Sequence, residues 1–367
     1  ANCYVANGNW NDAAADASLN SVSIQHLSSD TEVINTTTTI YVDYTRGSIN
    51  VPYALFWQTN YTRQIDAAEI NQDWINYNLY RGIVPLISGD KLTGDITISD
   101  KNFSFTFAGP NIDFDGQGFT VTIDNVPNFN GLFQNGTDTT NGQANITIKN
   151  LGVLSTGNTT LGTNNGWVGK SYFGRGASNN KIENCYSTGD IPSVSGGICG
   201  TFAGSFNGTL TVTNCYSLGN ILGFNSGGIC GPSAGYTNGK VTVINSYSFG
   251  NISGSNSGGI CGVGAGNKTG NIEVTNCYSR GAISGNVAGG ICGDSTGGTN
   301  GTVTVTNCYS AGALTDIARG IFGSIASNKL SVTSANCYIA NGSWTDAAAD
   351  ASLNSVSIQH LSSTTEV

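Results

Sequence analysis

The sequence predicts an all-β protein, a parallel β-solenoid with about 30–31 residues per coil and short helical cap segments. An Asn-Cys-Tyr motif recurs at nearly constant spacing, which indicates stacked units. The residues before each motif alternate between apolar and polar side chains, as in Val241-Thr242-Val243, and this is the period of a strand. Between residues 181 and 330 no stretch carries the apolar stripe of a helix. Short strands turned by Gly and Asn cannot bury a core alone, but they can when each coil stacks on the last.

The chain begins and ends with two copies of one segment. Residues 1–33 and 335–367 differ at four positions, 5/339, 9/343, 11/345 and 30/364. Each copy starts with Asn-Cys-Tyr and runs into Asp-Ala-Ala-Ala-Asp-Ala-Ser-Leu, which has a polar N-cap candidate and good helix formers. A short helix there would cover the open strand edges of a final coil. We therefore expect residues 341–367 to be a C-terminal cap segment, and residues 1–33 to be a cap segment that belongs to a preceding repeat.

The other boundaries follow the strand pattern. Residues 34–85 are expected to form a connecting region with a short helix around residues 67–80. The β-helix is expected over residues 86–340, because alternating strands continue upstream of the Asn-Cys-Tyr repeats. The inserts at residues 131–144 and 155–178 are then expected to be side loops. The upstream strands are Ile96–Ile98, Phe103–Phe107, Phe119–Ile123 and Ile146–Leu154.

One asparagine occupies the same position in every coil of the repeat. Stacked coils place equivalent positions about 4.8 Å apart, so these residues should form a ladder. Asn tolerates the left-handed conformation that a sharp bend needs, and stacked amides can hydrogen-bond along the column. We expect the role of this ladder to be structural. Its members are Asn184, Asn214, Asn245, Asn276, Asn307 and Asn336.

The repeats resemble the GLUG-motif repeats of bacterial and viral surface proteins. There a strand similar to Asn-Cys-Tyr is followed by Gly-Gly-Leu/Ile-Val/Cys-Gly, and this chain has Gly-Gly-Ile-Cys-Gly at residues 227–231. The resemblance covers residues 181–340, and it departs in having Cys where the second apolar residue often stands. Upstream, residues 111–123 (NIDFDGQGFTVTI) resemble the opening coil of right-handed parallel β-helix proteins. The resemblance implies a right-handed parallel β-helix of the bacterial or viral surface or fibre type.

The carboxylates offer weak catalytic candidates. Polysaccharide-acting β-helix enzymes use carboxylates clustered on neighbouring coils, but Glu183 and Glu273 lie in different columns, three coils or about 14 Å apart. That separation is too long for a glycosidase pair. Asp113 and Asp115 share one strand face and are the remaining candidates, although shaping an Asp-Gly turn is the favoured interpretation. The chain is therefore not expected to be an enzyme; were it one, the polysaccharide lyase or glycoside hydrolase type would be expected.

The cysteines fall in two columns of the repeat. Stacking brings vertical neighbours within the Cα separation that a disulfide needs. The columns can therefore hold disulfides, which secretion would favour, or they can be buried ladders of reduced thiols that pack as small apolar groups. The candidate pairs are Cys185 with Cys215, Cys277 with Cys308, Cys199 with Cys230, and Cys261 with Cys292.

A column of tyrosines follows the cysteines. If the cysteines point inward, the tyrosines point outward and form an exposed aromatic strip that could stack on sugars or on a neighbouring chain. With the opposite parity, the tyrosines belong to the core. The column contains Tyr186, Tyr216, Tyr247, Tyr278, Tyr309 and Tyr338.

Eleven Asn-x-Ser/Thr sequons are N-glycan acceptor candidates, although a chain so rich in Asn, Ser and Thr would show about as many by chance. Glycosylation would depend on the compartment. The acceptors are Asn35, Asn60, Asn102, Asn135, Asn145, Asn158, Asn207, Asn251, Asn267, Asn300 and Asn341.

Charge and composition exclude several classes of function. The formal charge is −9 with only 14 Lys and Arg, so a basic surface for nucleic acid is not expected. The longest apolar run, Val51–Trp57, is too short to span a bilayer. The two histidines, His26 and His360, occupy equivalent positions in the duplicated segment, which argues against a catalytic triad. The cysteines lack the short spacings of zinc sites, so no metal or other cofactor is expected.

These observations predict a non-enzymatic structural module of an extracellular, cell-surface or virion-surface fibre or adhesin. The duplicated segment sets a repeat of 334 residues, and the four differences between its copies indicate tandem repeats joined head to tail in one chain. A weaker form of the idea is non-covalent head-to-tail assembly, which propagates as a filament unless it closes a ring. The partner is then the protein itself, with glycans as further candidate partners. The alternative is a carbohydrate-binding or carbohydrate-cleaving β-helix protein.

Overall fold

The structure is a computed structural model that describes residues 68–79, 83–315, 317–324 and 332–340, together with the backbone of five short strands elsewhere. The chain divides into two compact units, residues 1–67 and 68–367. In the first unit, β1 (Cys3–Ala6) pairs with β2 (Ile24–Leu27) in parallel. In the same unit, β3 (Ile40–Val42) pairs with β4 (Val51–Tyr53) in an antiparallel hairpin.

The second unit contains the repeats. Every strand pairing that the structure describes in it is parallel, so the predicted all-β parallel solenoid is confirmed. The right-handed sense of its winding stays a prediction. Its elements in chain order are β5 (Glu69–Ile70), α1 (Gln72–Asn78), β6 (Ile83–Leu86), β7 (Lys91–Leu92), β8 (Ile96–Ile98), β9 (Ser104–Phe107), β10 (Ile112–Asp115), β11 (Thr120–Asp124), β12 (Ile146–Thr156), β13 (Asn180–Ser187), β14 (Thr209–Thr213), β15 (Tyr216–Ser217), β16 (Lys240–Ile244), β17 (Tyr247–Ser248), β18 (Asn271–Thr275), β19 (Tyr278–Ser279), β20 (Thr302–Thr306), β21 (Tyr309–Ser310), β22 (Val332–Ala340) and β23 (Val356–Leu361).

The coils stack in register, and this puts like residues above one another. Val241 pairs with Ile272, and Ile272 pairs with Val303, so the inward position of this strand is a continuous β-branched column. All three side chains are fully buried, whereas the residues that alternate with them along each strand point outward. Because each strand has one buried and one outer face, a slip of one residue would expose the whole column. The alternation therefore specifies the register.

The glycine pair in each Gly-Gly-Ile-Cys-Gly segment reflects close packing between coils. The second glycines of these pairs lie in one column, in which Gly228, Gly259 and Gly290 are successive members. A Cβ at Gly259 would lie 2.6 Å from the Cβ of Ser279 and closer still to the carbonyl oxygen of Gly290. No side chain fits there, so the motif is a requirement of the stack itself.

The solenoid extends further upstream than the boundary expected at residue 86. Glu69 and Ile70 of β5 pair in parallel with Lys91 and Leu92 of β7, so part of the expected connecting region belongs to the parallel sheet. The helix expected around residues 67–80 is α1, and its N-cap Asn71 accepts a hydrogen bond from the backbone N–H of Trp74. The helices expected in the two copies of the cap segment lie outside the described residues.

Much of residues 131–144 and 155–178 belongs to the coils, contrary to the prediction that these inserts are side loops. Phe133 bridges in parallel to Gly169, and both Phe133 and Trp167 are fully buried. The indole N–H of Trp167 donates to the carbonyl of Gly189 at 3.0 Å. These early coils are longer: Thr147 pairs with Lys181, 34 residues on, whereas later coils repeat every 29 to 31 residues. Large aromatic side chains, including Phe129, Phe133 and Trp167, are buried in these coils.

Candidate functional site

A ladder of asparagine side chains runs along one bend of the solenoid. The six predicted residues have φ between 50° and 55°, the left-handed region that Asn tolerates. Each side-chain amide donates to the amide oxygen of the coil before it at 3.0–3.2 Å. The ladder continues to Asn150, which accepts from Asn184 and donates to the carboxylate of Asp115 at 2.9 Å. Asn150 was missed in the sequence because Leu151 follows it in place of Cys.

The side chains of the tyrosine column point outward, so the column is a surface strip and not part of the core. The left-handed bend at Asn184 restarts the alternation, so Cys185 is buried and Tyr186 is half-exposed. Successive rings from Tyr186 to Tyr309 stack with centroids 4.8–5.0 Å apart and planes within 10° of parallel. Because the ring faces cover one another, the strip presents ring edges and hydroxyls to solvent. Stacking of sugars on these faces along the strip is therefore excluded by the geometry.

Asp113 and Asp115 form an ion-pair cluster with a lysine of the next coil. Lys149 Nζ lies 2.7 Å from Asp113 Oδ2 and 3.9 Å from Asp115 Oδ2. The hydrogen bond to Asp113 is the main cause of a raised pKa at Lys149. Asp115 also accepts from the backbone N–H of Gln117 at 2.8 Å, which is the bond of an Asp-Gly turn. The Asp115 carboxylate thus organises the turn and the start of the asparagine ladder, and the Asp113 carboxylate pairs with Lys149.

Of the two alternatives left open for the cysteine columns, the structure contains the reduced one: the four candidate pairs are unbonded, and all nine described cysteines are free thiols. In-register parallel strands hold equivalent side chains in parallel directions, whereas a disulfide needs its Cβ atoms within about 3.5–4.5 Å. Cys199 Sγ and Cys230 Sγ, for example, are 3.3 Å apart without a bond. Burial raises the pKa of Cys185 well above its ordinary value, so the thiol stays protonated. The reduced pairs are Cys185 and Cys215, Cys277 and Cys308, Cys199 and Cys230, and Cys261 and Cys292.

The sequons differ in accessibility. Asn135 is only 2% exposed, and its amide nitrogen donates to Gln143 O at 3.0 Å and to Asn180 Oδ1 at 3.2 Å, so the folded chain has no room for a glycan there. Asn267 is half-buried. Asn35, Asn60 and Asn341 lie outside the described residues. The exposed acceptors are Asn102, Asn145, Asn158, Asn207, Asn251 and Asn300.

A cleft that sequence analysis did not anticipate lies beside the early coils. Its volume is about 520 Å³, and Gln134, Lys170, Tyr172 and Phe202 help to line it. Lys170 follows Gly169 in a segment expected to be a loop, and its neighbour Gln134 is 36 residues away in sequence. No local motif marks these residues. Gln134 and Lys170 meet because the early coils are longer than the later ones, and the repeat period of the later coils does not predict this contact.

The described part of the chain contains no cluster of three or more His, Cys, Asp or Glu side chains that could hold a metal ion. It also contains no helix with the length and apolar character needed to cross a bilayer. The class of protein that the fold defines is thus a parallel β-solenoid with ladders of like side chains, and this fold supports a structural or surface-type module.

Comparisons with known proteins identify no family for this chain. No family model matches the chain, and no curated protein matches it. Among solved structures, it is similar to a crystal structure described as a "putative immunoglobulin A1 protease" from Bacteroides ovatus. The identity is 17%, over 74% of this chain and 70% of that one, with a TM-score of 0.33. A likeness that weak carries no argument about activity. The resemblance to GLUG-motif repeats stays a prediction from the sequence.

Proposed function

We propose that this chain is a non-enzymatic structural module of an extracellular, cell-surface or virion-surface fibre or adhesin, in which 334-residue repeats are joined head to tail. The observation that supports the proposal is the strand pairing within the two copies of the duplicated segment. In the first copy, Cys3–Ala6 pairs with Ile24–Leu27; in the second, Cys337–Ala340 pairs with Ile358–Leu361. The two parallel pairs have the same register, so both copies form the same terminal strand pair.

The two copies differ in what lies on the other side of that pair. In the second copy, β22 also pairs with β20 and β21 of the preceding coil. In the first copy, β1 belongs to a two-stranded sheet with β2. Among the described strands β1 pairs with β2 alone, and we infer that its other edge takes a strand of another repeat, because unpaired edges are ready sites for strand addition. A preceding repeat would supply the equivalents of β20 and β21 and would complete the coil.

The surface columns suit a mechanical role. Asparagine amides, tyrosine rings and backbone hydrogen bonds all run from coil to coil along the stack. Repeat proteins of this kind derive stability from contacts between neighbouring coils, so a tandem array would add repeats without a new type of contact. The net charge of −9 per chain would also oppose lateral association.

The test is the behaviour of a chain in which residues 34–367 follow residue 367, which creates two successive repeats. We expect hydrogen exchange of residues 337–340, which lie at the internal junction, to be slow because β22 pairs on two sides. Exchange of the equivalent strand β1, which has no repeat before it in this test chain, should be faster. Electron microscopy should show the junction as a continuous body. Two separate bodies with a fast-exchanging junction would contradict the proposal, as would a purified single chain that stays monomeric at every concentration with equally slow exchange at β1.

A carbohydrate-cleaving function is less well supported. Asp113 and Asp115 share the ammonium of Lys149, and Asp115 is further held by the Asp-Gly turn. Glycosidases need one carboxylic acid and one carboxylate free to face the substrate. Asp113→Asn and Asp115→Asn variants would separate the two interpretations, because a hydrolase or lyase would lose activity on its polysaccharide whereas a structural module has none to lose.

A further inference from the structure

The cleft beside the early coils, which we name the Lys170 cleft, is built by three successive coils. Phe133, Gly169 and Cys199 pair along one column, so Gln134 and Lys170, which follow the first two, lie side by side. The cleft volume of about 520 Å³ lies within the range of small-ligand sites. Its lining is rich in amides and hydroxyls. These polar residues are Asn130, Gln134, Thr137, Asn164, Asn165 and Thr201.

Lys170 is the unusual group in this cleft. Lys149 and Lys240 each have a carboxylate oxygen 2.7 Å from the ammonium, but Lys170 has no such ion pair with any described residue. The ammonium of Lys170 donates a hydrogen bond to the amide oxygen of Gln134, at a long 3.4 Å. Burial lowers the pKa of Lys170, because the ammonium loses water without gaining an anion. An anionic group in the cleft would restore that lost interaction.

The aromatic wall of the cleft is the second unusual feature. Tyr172 and Phe202 have φ of 61° and 59°, in the left-handed region that costs most residues about 1–2 kcal/mol. In later coils the same turn uses Ser233 and then Gly264, residues with small or no side chains. The two coils at the cleft thus place large rings where small residues fit more easily. The rings stack at 5.0 Å and form a half-exposed apolar wall next to the lysine.

These features restrict the chemistry of the ligand. One ammonium matches a single carboxylate, whereas phosphate groups are more often held by several cations or by the fork of an arginine. The carboxylate of Asp138 also lines the cleft, which disfavours a densely charged anion and favours hydroxyl donors. Amides and hydroxyls can bond sugar hydroxyls, and an aromatic wall suits the apolar face of a sugar ring.

We propose that the Lys170 cleft binds a carboxylated sugar within an acidic oligosaccharide. The ammonium of Lys170 pairs with the carboxylate, Gln134 and its neighbouring amides bond the hydroxyls, and the apolar ring edges of Tyr172 and Phe202 contact the sugar ring. This binding site goes beyond the structural role proposed above and does not depend on it.

The test is calorimetric titration of the full chain with oligomers of galacturonate, glucuronate and mannuronate, each beside its methyl-esterified, uncharged counterpart. At least one acid oligomer should bind, and its ester should bind roughly tenfold or more weakly because the ion pair is lost. Lys170→Gln should lose binding to a similar extent, while Lys170→Arg should retain most of it. Lys149→Gln removes an equally large cation outside the cleft and should leave binding unchanged.

Several results would overturn the proposal: no binding of any acid oligomer to the native chain, equal binding of acid and ester, or full binding by Lys170→Gln. Tyr172→Ser provides a second variant, because Ser is the residue that the same turn carries in a later coil; it should fold normally and bind more weakly. Acetate is included as a free carboxylate. If acetate competed as well as the oligomers, the cleft would be a simple anion site and the sugar assignment would be wrong.

Discussion

Replacing Gly259 by alanine should destabilise the solenoid more than any exposed substitution, because the coils approach one another at this glycine. A Cβ there would lie 2.6 Å from Ser279 Cβ, whereas ordinary contacts begin at 3.4 Å. The coils would have to separate locally. That would stretch the hydrogen bonds from Gly259 N to Gly289 O and from Ile260 N to Ile291 O, now 3.1 and 2.9 Å. Two bonds at about 1 kcal/mol each, with overpacking of about 1–3 kcal/mol, give a loss of about 3–5 kcal/mol.

The assay is urea denaturation followed by far-UV circular dichroism, with hydrogen exchange to locate the loosened coils. Gly94→Ala is the matched control, because a Cβ at Gly94 would meet no atom within 4 Å. The free energy of unfolding of this control should change by less than about 1 kcal/mol. Equal stability of the Gly259→Ala and Gly94→Ala variants would refute the close approach of the coils, and with it the packing of the Gly-Gly motif.

Further predictions concern the ladders. Asn245→Ala should cost about 2–3 kcal/mol in urea denaturation, since it removes the bonds to Asn214 and Asn276 and places alanine at φ 50°; an unchanged midpoint would contradict the ladder. Tyr247→Ala should cost about 1–3 kcal/mol by losing two ring stacks of 5.0 and 4.8 Å, while Tyr247→Phe should be nearly neutral by the same assay. Thiol titration in denaturant without reductant should find every described cysteine free, and a count reduced by pairs would restore the disulfide hypothesis. Burial raises the pKa of Cys337 to about 12 from an ordinary 9.0, so its contribution to stability is complete below pH 9 and is lost as the pH rises from 9 towards 12; equal stability at pH 8 and pH 11 would contradict this.

The solenoid could be predicted because its signal is repeated. Each coil has its own Asn and its own alternating strand, so the period and the inward columns of Val and Ile are redundant in the sequence. The left-handed bend at Asn184 was predictable for a related reason, since few other residues tolerate that conformation. At these positions the conformational preference of the residue and the stacking of the coils both favour the observed structure.

Features that depend on side-chain direction could not be predicted. Whether Tyr186 faces in or out depends on how the bend at Asn184 restarts the alternation, which the sequence pattern leaves open. The state of Cys199 and Cys230 depends on parallel Cβ directions rather than on Cα spacing, so spacing alone suggested bonds that the structure does not contain. The Lys170 cleft is assembled from early coils of uneven length, since Phe133 pairs with Gly169, 36 residues on, and Gly169 with Cys199, 30 residues on.

The in-register stack is tested most directly by the distances between outward positions of one column. In-register pairing places Thr147, Lys181 and Thr304 in one column. Thr147 lies five coils from Thr304, and Lys181 lies four coils from it. Nitroxide labels carried by ketone amino acids avoid the native thiols, and double electron–electron resonance then measures the label separation. The distance should be about 24 Å for the pair at 147 and 304 and about 19 Å for the pair at 181 and 304, a difference of about one 4.8 Å rise. Equal distances, or a shorter distance for the pair that is further apart in the stack, would contradict the solenoid.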